Sequence, residues 1–253
     1  MSAGVLTATT TKDAPGYYGK LPARGDFLGR RLSRQFIRDW DTWLQHAISA
    51  SQDVLGERWL EFYLVSPLWR FILSATSCGS NNVAGVMMPS VDSVNRYFPL
   101  MLGREFPPET DLSNFLCDSA DWYRTLEEFA LSALAPDFSL EMLDRPIALD
   151  LVTQSVPAAK TEILQRHRRI DVDLSTPDRL ASLIGSFSTQ STPTTFWWTS
   201  GSEHIATCLL VSPGMPQPES FAAFLNGDWD STGWVPDDTA APAAQAEQQP
   251  PLP

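Results

Sequence analysis

The chain has 253 residues, 43% of them hydrophobic and 11% aromatic, and a formal charge of −12. That size fits one large domain or two small ones, with apolar content ample for a core. The acidity argues against general nucleic-acid binding, which needs Lys and Arg to neutralise phosphates, and against a polybasic lipid-facing surface.

Residues 1–15 are small and polar and are expected to be flexible. Residues 16–31, Gly-Tyr-Tyr-Gly-Lys-Leu-Pro-Ala-Arg-Gly-Asp-Phe-Leu-Gly-Arg-Arg, predict a loop whose glycines and proline hold it in one shape while it presents charge. Ser33 is an N-cap for a helix to about residue 49, with Phe36, Ile37, Trp40, Trp43, Leu44, Ala47 and Ile48 on one face. Strands follow at 69–75, 82–88 and 97–103, the last two joined by the turn 89–96. Connections this short favour antiparallel pairing. A helix is expected from Ser119 to Ala135, where Trp122, Leu126, Phe129, Ala130 and Ala133 share a face and Pro136 ends it. Residues 137–175 give mixed signals. Thr176-Pro177 then opens a short helix to Phe187. A hairpin pairs Thr194–Thr199 with 205–211, and a last helix over 219–225 is stopped by Asn226-Gly227.

Trp197 and Trp198 alternate faces, so at most one is expected in the core, while Trp229 and Trp234 are expected to cover a sheet edge. Nine tryptophans exceed the needs of an average domain, and some are expected at the surface as contact residues. From residue 236 the sequence is Pro/Ala/Gln-rich and too poor in apolar groups to offset its ordering entropy. Irregularly alternating strands and helices predict an α+β fold: an antiparallel sheet sandwiched by helices, in one domain over 16–235.

Little in the chain resembles catalytic machinery. The phosphate-cradling glycine motifs and the Gly-x-Ser-x-Gly nucleophile elbow are missing. His204 and Cys208 lack a second ligand pair for zinc, and no cofactor is expected. Three widely spaced cysteines, Cys78, Cys117 and Cys208, read as reduced buried thiols. A hydrolase alternative would use Cys78 or an Asp92-centred site, and a sensor alternative would bring a nucleotide or phosphate to the Gly/Arg loop. There is no basic start followed by an apolar run, and no run near the roughly 18 apolar residues of a membrane span. A soluble cytoplasmic protein, not inserted in a membrane, is therefore expected.

Charge is the remaining signal. Lys20, Arg24, Arg30, Arg31, Arg34 and Arg38 face only Asp26 between residues 20 and 38, a basic island in an acidic chain. It is either a solvated helix start paired to distant acids or a docking patch, arginine favouring bidentate recognition of acidic groups. The block from Gly85 to Leu100 places Ser90, Asp92, Asn95 and Arg96 in a strand–strand turn. There they satisfy turn backbone groups or join the island in one surface. The contact set on the docking reading is Lys20, Arg24, Asp26, Arg30, Arg31, Asp92 and Arg96.

Both blocks, with Trp40-Asp-x-Trp-Leu, Ser66-Pro-Leu-Trp-Arg-Phe-Ile-Leu, Cys78-Gly, Phe196-Trp-Trp-Thr-Ser-Gly-Ser and Phe224-Leu-Asn-Gly-Asp-Trp, resemble the TagF family of bacterial type VI secretion accessory proteins. The resemblance spans roughly half the chain in the family's order. It implies a non-enzymatic cytoplasmic regulator that represses secretion after translation by binding a secretion component such as the forkhead-associated scaffold protein. It implies an α/β sandwich on an antiparallel sheet of longin-like kind, and it supplies no catalytic residues.

Overall fold

The computed structural model describes residues 14–110, 119–135, 137–147, 164–172, 177–187 and 193–237. Among them the strands are β1 (Gly16–Gly19), β2 (Leu28–Arg30), β3 (Trp69–Leu73), β4 (Asn82–Met88), β5 (Leu100–Phe106), β6 (Arg168–Asp171), β7 (Thr194–Thr199), β8 (Cys208–Pro213) and β9 (Val235–Pro236). They form one open sheet in the order β2-β1-β5-β4-β3-β7-β8-β6-β9. Every neighbouring pair is antiparallel except β6 with β9.

Helices cover both faces. α1 (Arg34–Leu55), α2 (Trp59–Val65) and α5 (Ala223–Asn226) lie on one side, around a core containing Phe36, Trp40, Phe71, Trp197 and Phe224. On the other side, α3 (Ala120–Ser132) and α4 (Pro177–Phe187) close a core with Tyr123, Leu126, Ile184, Phe196 and Trp198. This is the α+β sandwich expected from the sequence. A strand covered on both faces reads as a continuous apolar run, and all seven residues of β4 are buried.

Covering both faces also overturns the expectation for the tryptophans. Trp197 and Trp198 are 0% and 1% exposed, one in each core, and all nine tryptophans are buried. None is left at the surface as a contact residue. Trp229 and Trp234 pack at right angles to each other in the α1-side core, where Trp234 donates through Nε1 to the Ser220 carbonyl at 3.0 Å.

Local signals place several elements where the sequence has them. Ser33 caps α1, its Oγ accepting from the Phe36 amide at 3.2 Å. β4 spans the expected residues, and Gly227 ends α5 in the left-handed conformation at φ 75°. Other boundaries move. α1 runs to Leu55 instead of residue 49, α2 was not foreseen, and β5 starts at Leu100 because Tyr97 still belongs to the turn, bridged to Val91.

Residues 16–19, expected in a loop, are a strand paired to both β2 and β5. At the margins of the expected domain, Ala14 and Pro15 are buried, and the Asp237 carboxylate takes a 2.8 Å ion pair from Arg168. Cys117, Pro136, Thr176, residues 1–13 and the tail from 238 lie outside the described residues.

Gly85 and Gly103 face each other across β4 and β5. A side chain on Gly85 would put its Cβ 2.3 Å from the Leu102 carbonyl oxygen and 2.9 Å from the Phe71 ring. The absence of side chains here lets the two central strands approach under Phe71.

Candidate functional site: an interlocked knob beside the sheet edge

The two sequence blocks meet in space. The loop Lys20–Phe27 leaves β1 and returns as β2, and the turn between β4 and β5 folds against it. Within that turn, Asp92 Oδ1 accepts from the Val94 and Arg96 amides, each at 2.9 Å, and the Asp92 amide donates to the Arg96 carbonyl at 3.0 Å. This is an aspartate closing its own turn, and Asn95 at φ 62° supplies the left-handed residue the turn requires.

The loop and the turn are fastened at several points. Lys20 donates to Asp92 Oδ2, which also takes the Arg96 Nε at 2.7 Å. The Ser90 hydroxyl donates to the Lys20 carbonyl at 2.8 Å, and the Ser93 amide to the Arg24 carbonyl at 3.1 Å. Arg96 reaches the Gly25 carbonyl. Phe27 packs edge-on to Phe98 at 4.8 Å and stacks on Tyr18 at 5.7 Å, while the Lys20 ammonium lies over the Phe27 ring. From beneath, the Tyr63 hydroxyl donates to the Ser90 carbonyl at 2.8 Å.

These contacts sort the contact set. Lys20 and Asp92 are 4% and 2% exposed, so they hold the knob together and are out of reach of another molecule. Burial pushes the Asp92 carboxyl upward, but the hydrogen bonds from Lys20, from the Arg96 amide and side chain, and from the Val94 amide outweigh it. The group is held well below the usual carboxylate range. Arg24, Asp26 and Arg96 remain exposed on the outside of the knob.

Arg30 and Arg31 sit at the far end of β2. Both pair with Asp144, at 2.7 and 2.6 Å, and Arg31 also donates to the Pro15 and Leu143 carbonyls, each at 2.7 Å. Arg31 is at φ 58°, a conformation that a non-glycine residue holds only when its surroundings fix it. It ties the edge of the sheet down, whereas Arg30 stays largely exposed.

Two groups escaped the contact set drawn from sequence. Phe27 is 43% exposed and Val94 61%, giving the knob an apolar component among its arginines. Arg34 and Arg38, one turn apart, project from the first turns of α1, and the side chain of the neighbouring Ile37 lies over Gly29 of β2. Arg24, Arg34 and Arg38 form no ion pair among the described residues. The basic island therefore divides, part of it fastened into the fold and part of it free. A phenylalanine immediately before a short strand was the one sequence signal that could have singled out Phe27.

The positions considered for chemistry serve the fold. Cys78 and Cys208 are buried free thiols. Burial, then Asp39 and Glu105, push the Cys78 thiol far up, and burial pushes Cys208 up to about 12. Both should resist iodoacetamide in the native protein at pH 8 and react fully in denaturant, as read by mass mapping of their peptides. Rapid native alkylation of Cys78 would contradict this placement. Among the described residues no cluster of three or more His, Cys, Asp or Glu side chains is arranged to hold a metal ion. A cavity of about 10 Å³ between α2, β4 and α5 is lined by Tyr63, Trp69, Met87, Pro89 and Phe224 and is almost wholly apolar. No described helix is long and apolar enough to cross a membrane.

Comparison with known proteins agrees with this architecture. The crystal structure of PA0076 from Pseudomonas aeruginosa PAO1 resembles the chain with a TM-score of 0.67 and 34% sequence identity, covering 85% of this chain and 95% of that one. No curated protein matches the chain. Residues 16–149, which contain β1 through β5, the whole knob and α3, match the family model of the TagF N-terminal domain, described as Type VI secretion system-associated. The chain belongs to this TagF N-terminal domain family.

Proposed function

We propose that the protein is a non-enzymatic, cytoplasmic regulator that represses type VI secretion after translation. It does so by binding a secretion component, the forkhead-associated scaffold protein of the system, through the knob and the arginines of α1. The observation that carries this reading is the knob itself. It is a surface preshaped by buried ionic and aromatic fastenings, exposing Phe27 and Val94 beside Arg24 and Arg96. Rigid aromatic and arginine side chains dominate the energetics of protein interfaces, and a surface already ordered loses less entropy on binding. Family membership supplies the secretion context, and Cys78 and Asp92 are occupied by structural roles.

The test is capture of the scaffold by the triple variant Arg24→Glu, Arg34→Glu, Arg38→Glu. All three side chains are exposed and form no ion pair among the described residues, so the fold should be unaffected. Affinity should fall by about tenfold or more, mainly in the association rate, and the residual binding should lose its dependence on salt. Capture equal to the wild type by a variant with an unchanged melting temperature would remove this surface from the reading.

A further inference from the structure

The sheet is open, and its two edges differ. β9 has two residues and ends on Pro236, a residue that cannot donate to a further strand. The β2 edge contains no proline, and Leu28, Gly29 and Arg30 are all at least partly accessible. An edge of this kind presents unpaired backbone amides and carbonyls, which proteins ordinarily blunt or use. Basic side chains flank it: Arg24 on the knob that leads into it, Arg30 within it, and Arg34 and Arg38 in the first turns of α1, whose Ile37 side chain lies over Gly29.

We propose that the β2 edge takes an extended acidic segment of a partner protein as a tenth strand. The ladder would supply backbone hydrogen bonds, and alternate carboxylates would meet the arginines of α1 on one face and Arg30 on the other. Charge selects this occupant. A second copy of the chain paired through β2 would bring two basic islands together, with Arg24, Arg30, Arg34 and Arg38 of each copy near those of the other. An acidic strand replaces that repulsion with pairing to Arg24, Arg34 and Arg38, which have no ion-pair partner among the described residues. The inference rests on the docking reading above and specifies its mode.

The probe is the peptide acetyl-Glu-Val-Glu-Val-Glu-Val-Glu-amide, added to the full chain and followed by NMR. Saturable binding is expected, with new protection of those amides among Leu28–Arg30 that face away from β1, and cross-strand proton contacts to these residues. In a strand only alternate amides face the ladder. Of two isomers, one N-methylated on its glutamates and one on its valines, one should bind like the parent and the other about tenfold or more weaker. A lysine-for-glutamate peptide should also bind about tenfold or more weaker. Equal binding by both methylated isomers, equal binding by the lysine peptide, contacts centred away from β2, or no saturable binding each overturn the inference. These readouts do not depend on which secretion protein is captured, so the scaffold assay can fail while strand addition holds, and the reverse.

Discussion

Trp197→Ala is expected to destabilise the protein by about 4 kcal/mol, and Trp198→Ala by a comparable amount. The two side chains are adjacent in sequence but are buried in different cores. Trp197 stacks on Trp40 with ring centres 6.0 Å apart and meets Phe71 at 5.2 Å, Trp43 at 5.5 Å and Phe224 at 5.5 Å. Its Nε1 donates to Thr195 Oγ1 at 3.1 Å. Trp198 lies on the opposite face, edge-on to Tyr123 at 5.0 Å. Truncating either removes a large apolar surface and leaves a cavity that a sheet fixed by its ladders cannot close. In a domain of this size the loss should lower the melting temperature by about 10 °C. Denaturant titration of both variants checks the two-core arrangement. If Trp198→Ala costs less than about 1 kcal/mol while Trp197→Ala is severe, the second core does not exist as described.

That pair also shows where sequence reasoning reaches its limit. Alternation along β7 correctly sends Trp197 and Trp198 to opposite faces. Whether both faces are covered depends on α3 and α4, which come from distant parts of the chain. Locally encoded features were legible. Ser33 as a cap, β4 as an uninterrupted apolar run, and Gly227 as a left-handed stop each need only neighbouring residues. The continuation of α1 past residue 49 was hidden by Ser49 and Ser51. Ser51 looks like an exposed polar residue, yet it is buried and accepts from the Trp59 indole at 2.8 Å.

β1 was illegible for a related reason. Its glycines lack strand preference, and its conformation is imposed by β2 and β5 on either side. At the candidate site the sequence identified both blocks but could not sort them. Lys20 and Asp92 are 72 positions apart, and nothing local marks them as buried while Arg24 stays exposed.

Lys20→Met is expected to destabilise the protein by about 3 kcal/mol, because it leaves the Asp92 carboxylate buried without its main cationic partner. Arg96 cannot replace it, since its side chain is largely exposed and already shared with the Gly25 carbonyl. The double variant Lys20→Met, Asp92→Asn should recover most of the loss. Asparagine keeps an oxygen to accept from the Val94 and Arg96 amides, so the turn stays closed while the buried charge disappears. The acid response gives an independent reading of the same pair. Asp92 titrates lower in the folded than in the unfolded chain, so its contribution is fully present above the unfolded value of about 3.9. It is then lost progressively as pH falls toward the folded value. The gap in melting temperature between wild type and Asp92→Asn should therefore be widest near pH 6 and shrink steadily below pH 4. A gap unchanged down to pH 3, or a double variant no more stable than Lys20→Met, would mean that the knob is not fastened by this ion pair. The rigidity that lets Phe27, Val94 and Arg24 present one fixed surface would then need another source.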